Sequence, residues 1–540
     1  MGVRQITADG YPDNRDITSP RGGLFFLHPT SMEFEQRPRI QLQVSSRTAS
    51  FVRVLKARRT GIPPYVWPAL FTALGGFLWG FDTGSIGPIT VMSQFENQFG
   101  SISATVQGLL VSSIIATAAL SAMGSGALSD RISRTYTISL GAFVFAVGAA
   151  IACSAKALAQ LFVGRCITGF GQGIFISNIT VYVIEICPPS KRGRTMTIVQ
   201  LFNTVGIAAG YFTCFGTAKY ADSFSWRFPL GLQAVVAIVL AIGTPFFPHS
   251  PHWLLSVNRP RDAEAATLKL GLQLTEIRKE DEAAAGAQVV QLTFKQQAKE
   301  LWAKDIRLRT FFGMFLMVMQ QACGIDAVLY YAPVLFQQAG LSTTSASFLA
   351  SGVSGIVMVV LTAGILFFQD KWARRTQMIG GGSVIAGCML TMGSLYASDA
   401  AQTAAGKRTL IALIYIFIAA FISTWAVVIR VIASEVQPKR TRAPATSLAQ
   451  CFGWAVNWVI AFSTPLFLRR SSSGPYFMFG TCALLTVFVC VVFQPETKGL
   501  SLDALDQDFK ETKLQSAVKR YFGSKSGQST GIELVGMANS

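Results

Sequence analysis

Long apolar runs separated by short polar segments occupy most of the chain after residue 67. Each run holds about 20 residues, the length that an α-helix needs to cross the hydrocarbon core of a lipid bilayer. A helix also satisfies its own backbone hydrogen bonds, as a lipid-exposed segment must. The runs lie near residues 68–89, 105–128, 136–155, 158–183, 195–217, 227–247, 311–337, 346–368, 377–397, 409–433, 444–467 and 475–494. The pattern predicts an all-α membrane protein with twelve transmembrane helices.

A polar insert divides these helices into two sets of six, which predicts two six-helix bundles around a central cavity. The insert is rich in Ala, Glu, Gln and Lys and favours short surface helices. The polar segment before the first run is typical of a disordered tail. The predicted organisation is a cytosolic tail (1–64), a first bundle (65–248), a cytosolic linker (249–309), a second bundle (310–495) and a cytosolic tail (496–540).

Composition supports a membrane protein and argues against other classes. Hydrophobic residues make up 51% of the chain and charged residues 14%, whereas soluble domains carry about 25% charged residues. The net charge of +18 could indicate a nucleic-acid-binding protein. However, Lys and Arg cluster in the tails and in short loops between apolar runs, as the positive-inside rule describes. We therefore expect a lipid bilayer around the protein and no nucleic-acid partner.

The loop charges also predict the orientation. Loops after the first and seventh runs contain no Lys or Arg, and Lys407, Arg408, Arg469 and Arg470 are exceptions on the predicted outer side. On balance, the positive-inside rule places both termini and the insert in the cytosol. The loops after the second, fourth, eighth and tenth runs carry Arg131, Arg134, Lys191, Arg192, Arg194, Lys371, Arg374, Arg375, Lys439, Arg440 and Arg442.

The sequence contains no pattern that predicts an enzyme. Most of the nine cysteines lie within apolar runs, where they are typical packing residues. His28, His249 and His252 lie outside the runs, so we expect no metal site. No phosphate-binding loop is present, which argues against ATP-driven transport. No nucleophile–base set is present either, which argues against an enzyme. We therefore expect no cofactor and no catalytic residues.

Acidic and basic residues recur at matching places in the two halves. Asp130 and Arg134 follow the second run as Asp370 and Arg374 follow the eighth. Parallel repeats of this kind are found in transporters. Carboxylates beside arginines could pair across the bundle interface, close the cytosolic side and separate when it opens; the alternative is that the charges only set topology. The predicted gating residues are Asp130, Arg134, Glu185, Arg192, Asp370, Arg374, Arg375, Glu435 and Arg442.

The seventh run is unusually polar for a membrane segment. Gln320, Gln321 and Asp326 are costly in lipid unless they face protein or water. Gly324 and Pro333 allow a membrane helix to bend or unwind. A broken helix that carries amides predicts a binding place for a polar solute near the middle of the membrane.

Taken in order, the motifs resemble the sugar porter family of the major facilitator superfamily, most of all its fungal members, over about residues 67–510. The resemblance implies alternating-access transport of a sugar or sugar-like solute such as a monosaccharide, either facilitative or proton-coupled. It also implies a monomer in the plasma membrane. The motifs are Gly80–Gly84, Gly164-Arg165, Glu185 with Arg192-Gly193, Gln320-Gln321 with Gly324-Ile325, Asp370 with Arg374-Arg375, and Pro495–Gly499.

A lone carboxylate inside a membrane helix, as at Asp82, needs a proton or a cationic partner. The resemblance implies that Arg165 is this partner and that protonation of Asp82 couples transport to protons. A structural salt bridge is the alternative.

The resemblance also implies a sugar site at Gln200, Gln320, Gln321, Trp454 and Asn457. Amides donate and accept hydrogen bonds at once, which suits a ring of hydroxyls, and an indole offers an apolar platform to a sugar face. Hydrogen bonding between helices is the alternative for each amide singly.

Two departures from the family pattern bear on the substrate. Asp326 replaces an Asn, and Arg430 replaces a Trp. These two residues could form a buried pair, Arg430 could recognise an acidic solute, or Arg430 could extend to the cytosolic interface. The alternative function is therefore import or export of a non-sugar metabolite, such as a sugar acid, a cyclic hydroxy acid or a secondary metabolite. A transporter-like nutrient sensor is a further alternative, against which the short predicted C-terminal tail argues.

Overall fold

The computed structural model describes residues 63–188, 191–273, 277, 299–304, 306–341, 343–368, 372–438, 441–494 and 496. Within these ranges the regular elements are all helices. The predicted tails lie almost wholly outside the described residues, as do part of the linker, Asp370 and the side chain of Arg442.

The helices form two sets separated by the linker. The first set comprises α1 (Val66–Thr72), α2 (Leu74–Thr90), α3 (Ser93–Phe99), α4 (Ala104–Ile132), α5 (Arg134–Cys153), α6 (Leu158–Glu185), α7 (Arg192–Thr217) and α8 (Phe224–Gly243). The linker contributes α9 (Pro251–Ser256) and α10 (Pro260–Leu270). The second set comprises α11 (Arg307–Ala322), α12 (Ile325–Tyr330), α13 (Ala332–Gln338), α14 (Thr344–Phe368), α15 (Arg374–Ala397), α16 (Ala404–Ser423), α17 (Trp425–Glu435), α18 (Arg442–Arg470) and α19 (Gly474–Phe493). Two short 3-10 turns lie at Thr244–Phe246, directly after α8, and at Ala400–Gln402, between α15 and α16.

The described helices account for all twelve predicted membrane crossings. Eleven helical segments in the described ranges are long and apolar enough to cross a membrane. The remaining crossing is formed by α1 and α2, which meet at Ala73, a residue with helical φ and ψ of −61° and −16°. Together they run from Val66 to Thr90, which is again a membrane-spanning length. The prediction of a twelve-helix, all-α membrane protein is confirmed.

Contacts between the two bundles follow an internal symmetry. Within the first bundle α2 packs on α7, α4 on α6, and α5 on both α6 and α8; within the second, α11 packs on α18 and α15 on α19. Between bundles, α7 packs on α14 and α4 packs on α18. Each of these contacts joins the second membrane crossing of one bundle to the fifth of the other, as two parallel repeats require.

The two ends of the molecule differ in charge and in packing. The basic end is the end that carries Arg134 and Arg374, and the distal end is the opposite one. Towards the distal end the bundles touch backbone to backbone, because a Cβ atom on Gly87 would overlap the main-chain oxygen of Tyr330, and one on Gly108 that of Phe462. Glycine permits this approach, since it has no side chain to separate the two backbones.

At the basic end, the linker helices lie against the first bundle. The indole Nε1 of Trp253 in α9 donates to the main-chain oxygen of Asp130 at 2.9 Å. The hydroxyl of Tyr182 in α6 donates to the main-chain oxygen of Pro248 at 2.8 Å. These bonds hold the start of the linker beside the loop between α4 and α5.

Candidate functional site

The seventh membrane crossing is interrupted twice. Helix α11 ends at Ala322, and Gly324 adopts a left-handed φ of +87° before α12 begins. A second interruption at Tyr331 separates α12 from α13, and Pro333 lies in the first turn of α13. Gly324 suits the first break for two reasons: L-residues rarely adopt this φ, and a Cβ there would overlap the ring of Phe479. The expected broken helix is therefore present.

A polar cavity lies between the two bundles beside the first break. Apolar side chains such as Ile207, Leu329 and Phe421 line part of it. The polar residues on its wall are Thr83, Gln200 and Asn203 from the first bundle, and Gln320, Gln321, Asp326 and Arg430 from the second. Of the seven predicted substrate-binding residues, the structure places five on this wall. The other two, Trp454 and Asn457, contact residues of the wall.

Asn457 connects the two pieces of the broken helix. Its Nδ2 donates to Asp326 Oδ2 at 2.6 Å and to Gln321 Oε1 at 3.3 Å. Asn457 is buried, whereas Gln321 and Asp326 are half-buried. This arrangement uses one oxygen of each partner, so the amide nitrogen of Gln321 and the second oxygen of Asp326 can serve a solute.

The adjacent glutamines have different roles. Gln320 Nε2 donates to the main-chain oxygen of Trp425 at 2.9 Å, which ties α11 to the start of α17. Gln320 Oε1 has no hydrogen-bond partner within the described chain. The helix–helix alternative therefore applies to the nitrogen of Gln320, while its oxygen is buried beside the cavity. Consecutive helical residues differ in direction by about 100°, so Gln321 points away from Gln320. It faces α18, where Asn457 donates to its oxygen.

The sequence did not identify Asn203, Thr83 or Trp79 as cavity residues. Asn203 lies one helical turn after Gln200, and the two amides are 3.5 Å apart. Thr83 follows Asp82 directly and bonds to the main-chain oxygen of Trp79 at 3.1 Å. Trp79 stacks on Trp454 of the other bundle, with ring centroids 5.8 Å apart and planes at 22°. The i, i+3 spacing of the two amides was an available signal for Asn203; the Trp pair joins different bundles and had no sequence signal.

Arg430 faces the cavity. Its neighbours Val428 and Ile429 are fully buried, while Arg430 itself is solvent-accessible and lies on the cavity wall with Asp326. The position does not fit the expectation that Arg430 extends to the membrane interface, because the side chain contributes to the wall at the level of α12. Asp326 acts on Arg430 electrostatically without a direct ion pair in the described structure.

Asp82 and Arg165 form the predicted pair. Arg165 Nη1 lies 3.0 Å from Asp82 Oδ1, and Nη2 lies 3.2 Å from Oδ2. The guanidinium also donates to the main-chain oxygens of Leu110 at 2.7 Å and Val111 at 3.3 Å. Asp82 is next to Thr83 of the cavity wall. Two parallel bonds between ionised groups are a strong and directional contact.

The predicted gating residues pair within bundles in the described structure. Arg134 contacts Asp130 and lies 3.2 Å from Glu185. At the matching place in the second bundle, Arg374 lies 3.8 Å from Glu435. Arg192 donates to the main-chain oxygen of Ile184 at 3.2 Å. The expectation of pairs across the bundle interface does not describe these contacts, which instead brace each bundle at its basic end.

Glu496 has a role that the sequence did not reveal. It belongs to the Pro495–Gly499 motif and accepts hydrogen bonds from the backbone N–H groups of Arg374 at 3.0 Å and Arg375 at 3.1 Å. A carboxylate at the first turn of α15 satisfies free donors and complements the positive end of the helix dipole. Arg375 Nη2 adds a bond to the main-chain oxygen of Val491 at 2.6 Å.

A small polar cluster lies at the basic end of the first bundle. Ser133 adopts a φ of +93°, an uncommon value for a residue other than glycine. The hydroxyls of Ser133 and Thr135 lie 2.8 Å and 2.7 Å from His249 Nδ1. Burial lowers the pKa of His249 below its ordinary value of 6.5, and the positive charge of Arg259 lowers it further. The imidazole is therefore held neutral.

The part of the chain that the structure describes offers no cluster of three or more His, Cys, Asp or Glu residues that could bind a metal ion. All nine cysteines are free thiols.

Comparison with known proteins agrees with the fold. Residues 68–509 match the family described as "Sugar (and other) transporter". The glucose transporter GlcP of Staphylococcus epidermidis is 30% identical over 440 residues, which cover 81% of this chain and 96% of GlcP. The galactose-proton symporter of Escherichia coli (strain K12) is 29% identical over 81% of this chain and 92% of the symporter. The inward-open structure of the xylose transporter XylE from E. coli has the same fold, with a TM-score of 0.68 at 21% identity over 81% of this chain and 98% of XylE.

The family match covers both bundles and the linker, which confirms the expected resemblance and the expectation that the chain is not an enzyme. The chain therefore belongs to the sugar porter family of the major facilitator superfamily, and it is a multi-pass membrane transporter of sugars or sugar-like polar solutes.

Proposed function

We propose that the protein carries a monosaccharide or a closely related polyhydroxylated solute by alternating access, as a proton symporter. The observation that carries this proposal is the set of amides on the cavity wall: Gln200 and Asn203 face Gln320 and Gln321 from the opposite bundle. A solute held between them contacts both bundles at once. Its binding can therefore bias their relative position, since a ligand shifts an equilibrium only by binding one state better than another.

Each amide on the wall can donate and accept, which matches a ring of hydroxyls. Asn457 orients Gln321 and Asp326 through the bonds described above, so these groups are held in place before the solute arrives. Pre-oriented polar groups lower the entropic cost of binding. The Trp79–Trp454 stack adds an apolar surface next to the amides.

Access from the distal end requires separation of the bundles there. Tyr211 of α7 donates its hydroxyl to the main-chain oxygen of Leu329 in α12, which joins the two bundles. The backbone of Gly87 meets Tyr330 at the same level. Opening of the distal side breaks these contacts, and the short helix α12, bounded by two interruptions, is the segment suited to move.

Proton coupling operates through Asp82 and Arg165. Protonation of Asp82 removes the charge that Arg165 pairs with, while Arg165 keeps its bonds to the oxygens of Leu110 and Val111. Removing the charge of one partner of a buried ion pair costs free energy, because the charge of the other partner is left uncompensated. Protonation therefore favours the conformation in which Arg165 finds other acceptors or water, and this links the proton to the position of the bundles.

The basic end faces the cytosol in this proposal, by the positive-inside rule, and the membrane is the plasma membrane. One chain carries both bundles and the complete cavity, so the proposed working unit is the monomer.

The test is transport by the purified protein in liposomes. Vesicles loaded with unlabelled D-glucose, D-galactose, D-xylose or D-glucuronate are diluted into labelled solute, and counterflow is measured. Saturable counterflow of at least one of these solutes is expected, with accumulation when the interior is made alkaline. A monodisperse, thermally stable preparation that moves none of them contradicts the proposed transport. Movement without proton-driven accumulation contradicts only the coupling.

A further inference from the structure

The guanidinium of Arg430 is the largest unused hydrogen-bonding group on the cavity wall. Arginine carries five N–H donors in a fixed planar fork, and within the described chain those of Arg430 make no hydrogen bond. By contrast, Arg165, which also lies inside a membrane helix, donates to Asp82, Leu110 and Val111. A membrane-embedded charge without direct partners is costly, and such residues mark binding sites or pathways.

Asp326 does not occupy the N–H donors of Arg430. It is close enough to act on Arg430 electrostatically, but its Oδ2 accepts from Asn457 at 2.6 Å. A structural salt bridge would bring carboxylate and guanidinium into direct contact, as in the Asp82–Arg165 pair of the same molecule. The comparison shows that this fold can build a closed pair, and that the Asp326–Arg430 pair is left open on the cavity side.

The open pair defines the chemistry of its ligand. A carboxylate matches the arginine fork through two parallel hydrogen bonds. The second oxygen of Asp326 accepts hydrogen bonds, so it suits a hydroxyl of the same solute and repels a carboxylate. Gln200, Asn203 and Gln321 supply donors and acceptors for further hydroxyls. The complementary solute therefore carries one carboxylate at one end and several hydroxyls at the other.

We infer that the cavity selects a polyhydroxylated monocarboxylate of the sugar-acid type, with Arg430 binding the carboxylate and Asp326 accepting from a hydroxyl. The inference rests on the proposed transport function and specifies its substrate class. Arg430 is a specificity-determining residue in this assignment, because it distinguishes a carboxylate from the hydroxymethyl group of a neutral hexose.

The experiment compares D-glucuronate with D-glucose, which differ only in the group at carbon 6. Uptake and competition are measured in liposomes at a pH where glucuronate is ionised. Wild-type protein is expected to favour glucuronate by about tenfold or more, the scale of a charge-assisted hydrogen bond. Arg430→Gln is expected to lose this preference while it still carries glucose. Arg470→Gln, which removes an exposed arginine at the distal end of α18, is the matched control and is expected to keep it.

A second variant separates recognition from internal pairing. Asp326→Asn leaves Arg430 without its neighbouring charge. If Arg430 binds the solute's carboxylate, this variant keeps the wild-type preference for glucuronate over glucose, whatever the loss in the uptake of both solutes. If Arg430 serves only to balance Asp326, both Arg430→Gln and Asp326→Asn lower thermal stability and reduce the uptake of both solutes equally, which overturns the inference.

The remaining outcomes are also decisive. Wild-type transport of glucose with no preference for glucuronate, unchanged in Arg430→Gln, overturns the substrate class and leaves sugar transport intact. Failure of the folded wild-type protein to move either solute, or the other sugars of the counterflow panel, overturns both the inference and the proposed function.

Discussion

Arg165 binds Asp82 through two parallel contacts of 3.0 Å and 3.2 Å, and the two residues are 1% and 2% exposed. The pair joins α2 to α6 inside the first bundle and leaves the cavity wall to the neighbouring Thr83. An ion pair that lies beside the cavity without lining it fits the proposed role in proton coupling better than a role in binding the solute.

Asp82→Asn is expected to abolish proton-driven accumulation and to preserve counterflow. The reason is that Asn can accept a hydrogen bond from Arg165 but cannot bind and release a proton. The measurement is the ratio of internal to external labelled solute in liposomes with an alkaline interior. Glu96→Gln, which neutralises an exposed acid in α3, is the control. Accumulation by Asp82→Asn at the wild-type level would contradict the coupling role.

Asn457→Ala is expected to raise KM by about tenfold, since the net value of a hydrogen bond to a charged group is about 1.5–3 kcal/mol. The physical cause is that Asp326 and Gln321 lose the donor that holds them. KM is measured from initial uptake rates. Asn178→Ala, which removes a buried amide bonded only to the oxygen of Ile174 in its own helix, should leave KM unchanged; a KM for Asn457→Ala no higher than that of this control would refute the positioning role.

Tyr211→Phe is expected to favour opening at the distal end, because it removes the bond between the Tyr211 hydroxyl and Leu329 that joins the bundles. Loss of about 1 kcal/mol changes the ratio of two conformations by about fivefold. Hydrogen exchange measured by mass spectrometry should increase in peptides that cover α12. Tyr415→Phe removes a tyrosine bond of 3.0 Å to Ala350 within the second bundle and should not produce this change. Equal exchange in the two variants would argue against a distal seal at Tyr211.

His249 is expected to make stability fall as the pH drops below about 6.5. Burial and Arg259 lower the pKa of His249 in the folded protein, so the unfolded chain binds more protons near this pH. The penalty is absent well above 6.5 and grows as the pH falls through that value. Thermal unfolding of the detergent-solubilised protein at pH 7.5 and 5.5 should differ less for His249→Gln than for wild type. His252→Gln is the control; an identical pH effect in wild type and His249→Gln would contradict this assignment.

The membrane-spanning helices were predictable because lipid imposes a length and an internal hydrogen-bonding requirement on every crossing segment. The break in the seventh crossing was predictable for a related reason, since Gly324 is the residue that tolerates a left-handed φ. The need of Asp82 for a cation also followed from its position alone, because a lone carboxylate in lipid is costly.

Pairing between distant helices depended on tertiary structure. Glu185 and Arg134 were predicted as gating residues that pair across the bundle interface, but in the described structure they pair with each other within the first bundle. Gln320 and Gln321 have the same side chain and adjacent positions, but only packing determines that one bonds to the oxygen of Trp425 and the other to Asn457. The bond from Glu496 to the start of α15 spans more than 100 residues and left no local signal.

The sequence by itself determined the helices, the two repeats and the costly polar residues of this transporter, because these depend on local length, composition and desolvation. Only the tertiary structure decided where the polar groups point. Arg430 is the clearest case. A charged side chain in an apolar helix is costly, and in the folded protein this side chain faces the cavity beside Asp326. Direction and partners are set by how helices pack, which the pattern along one helix does not contain.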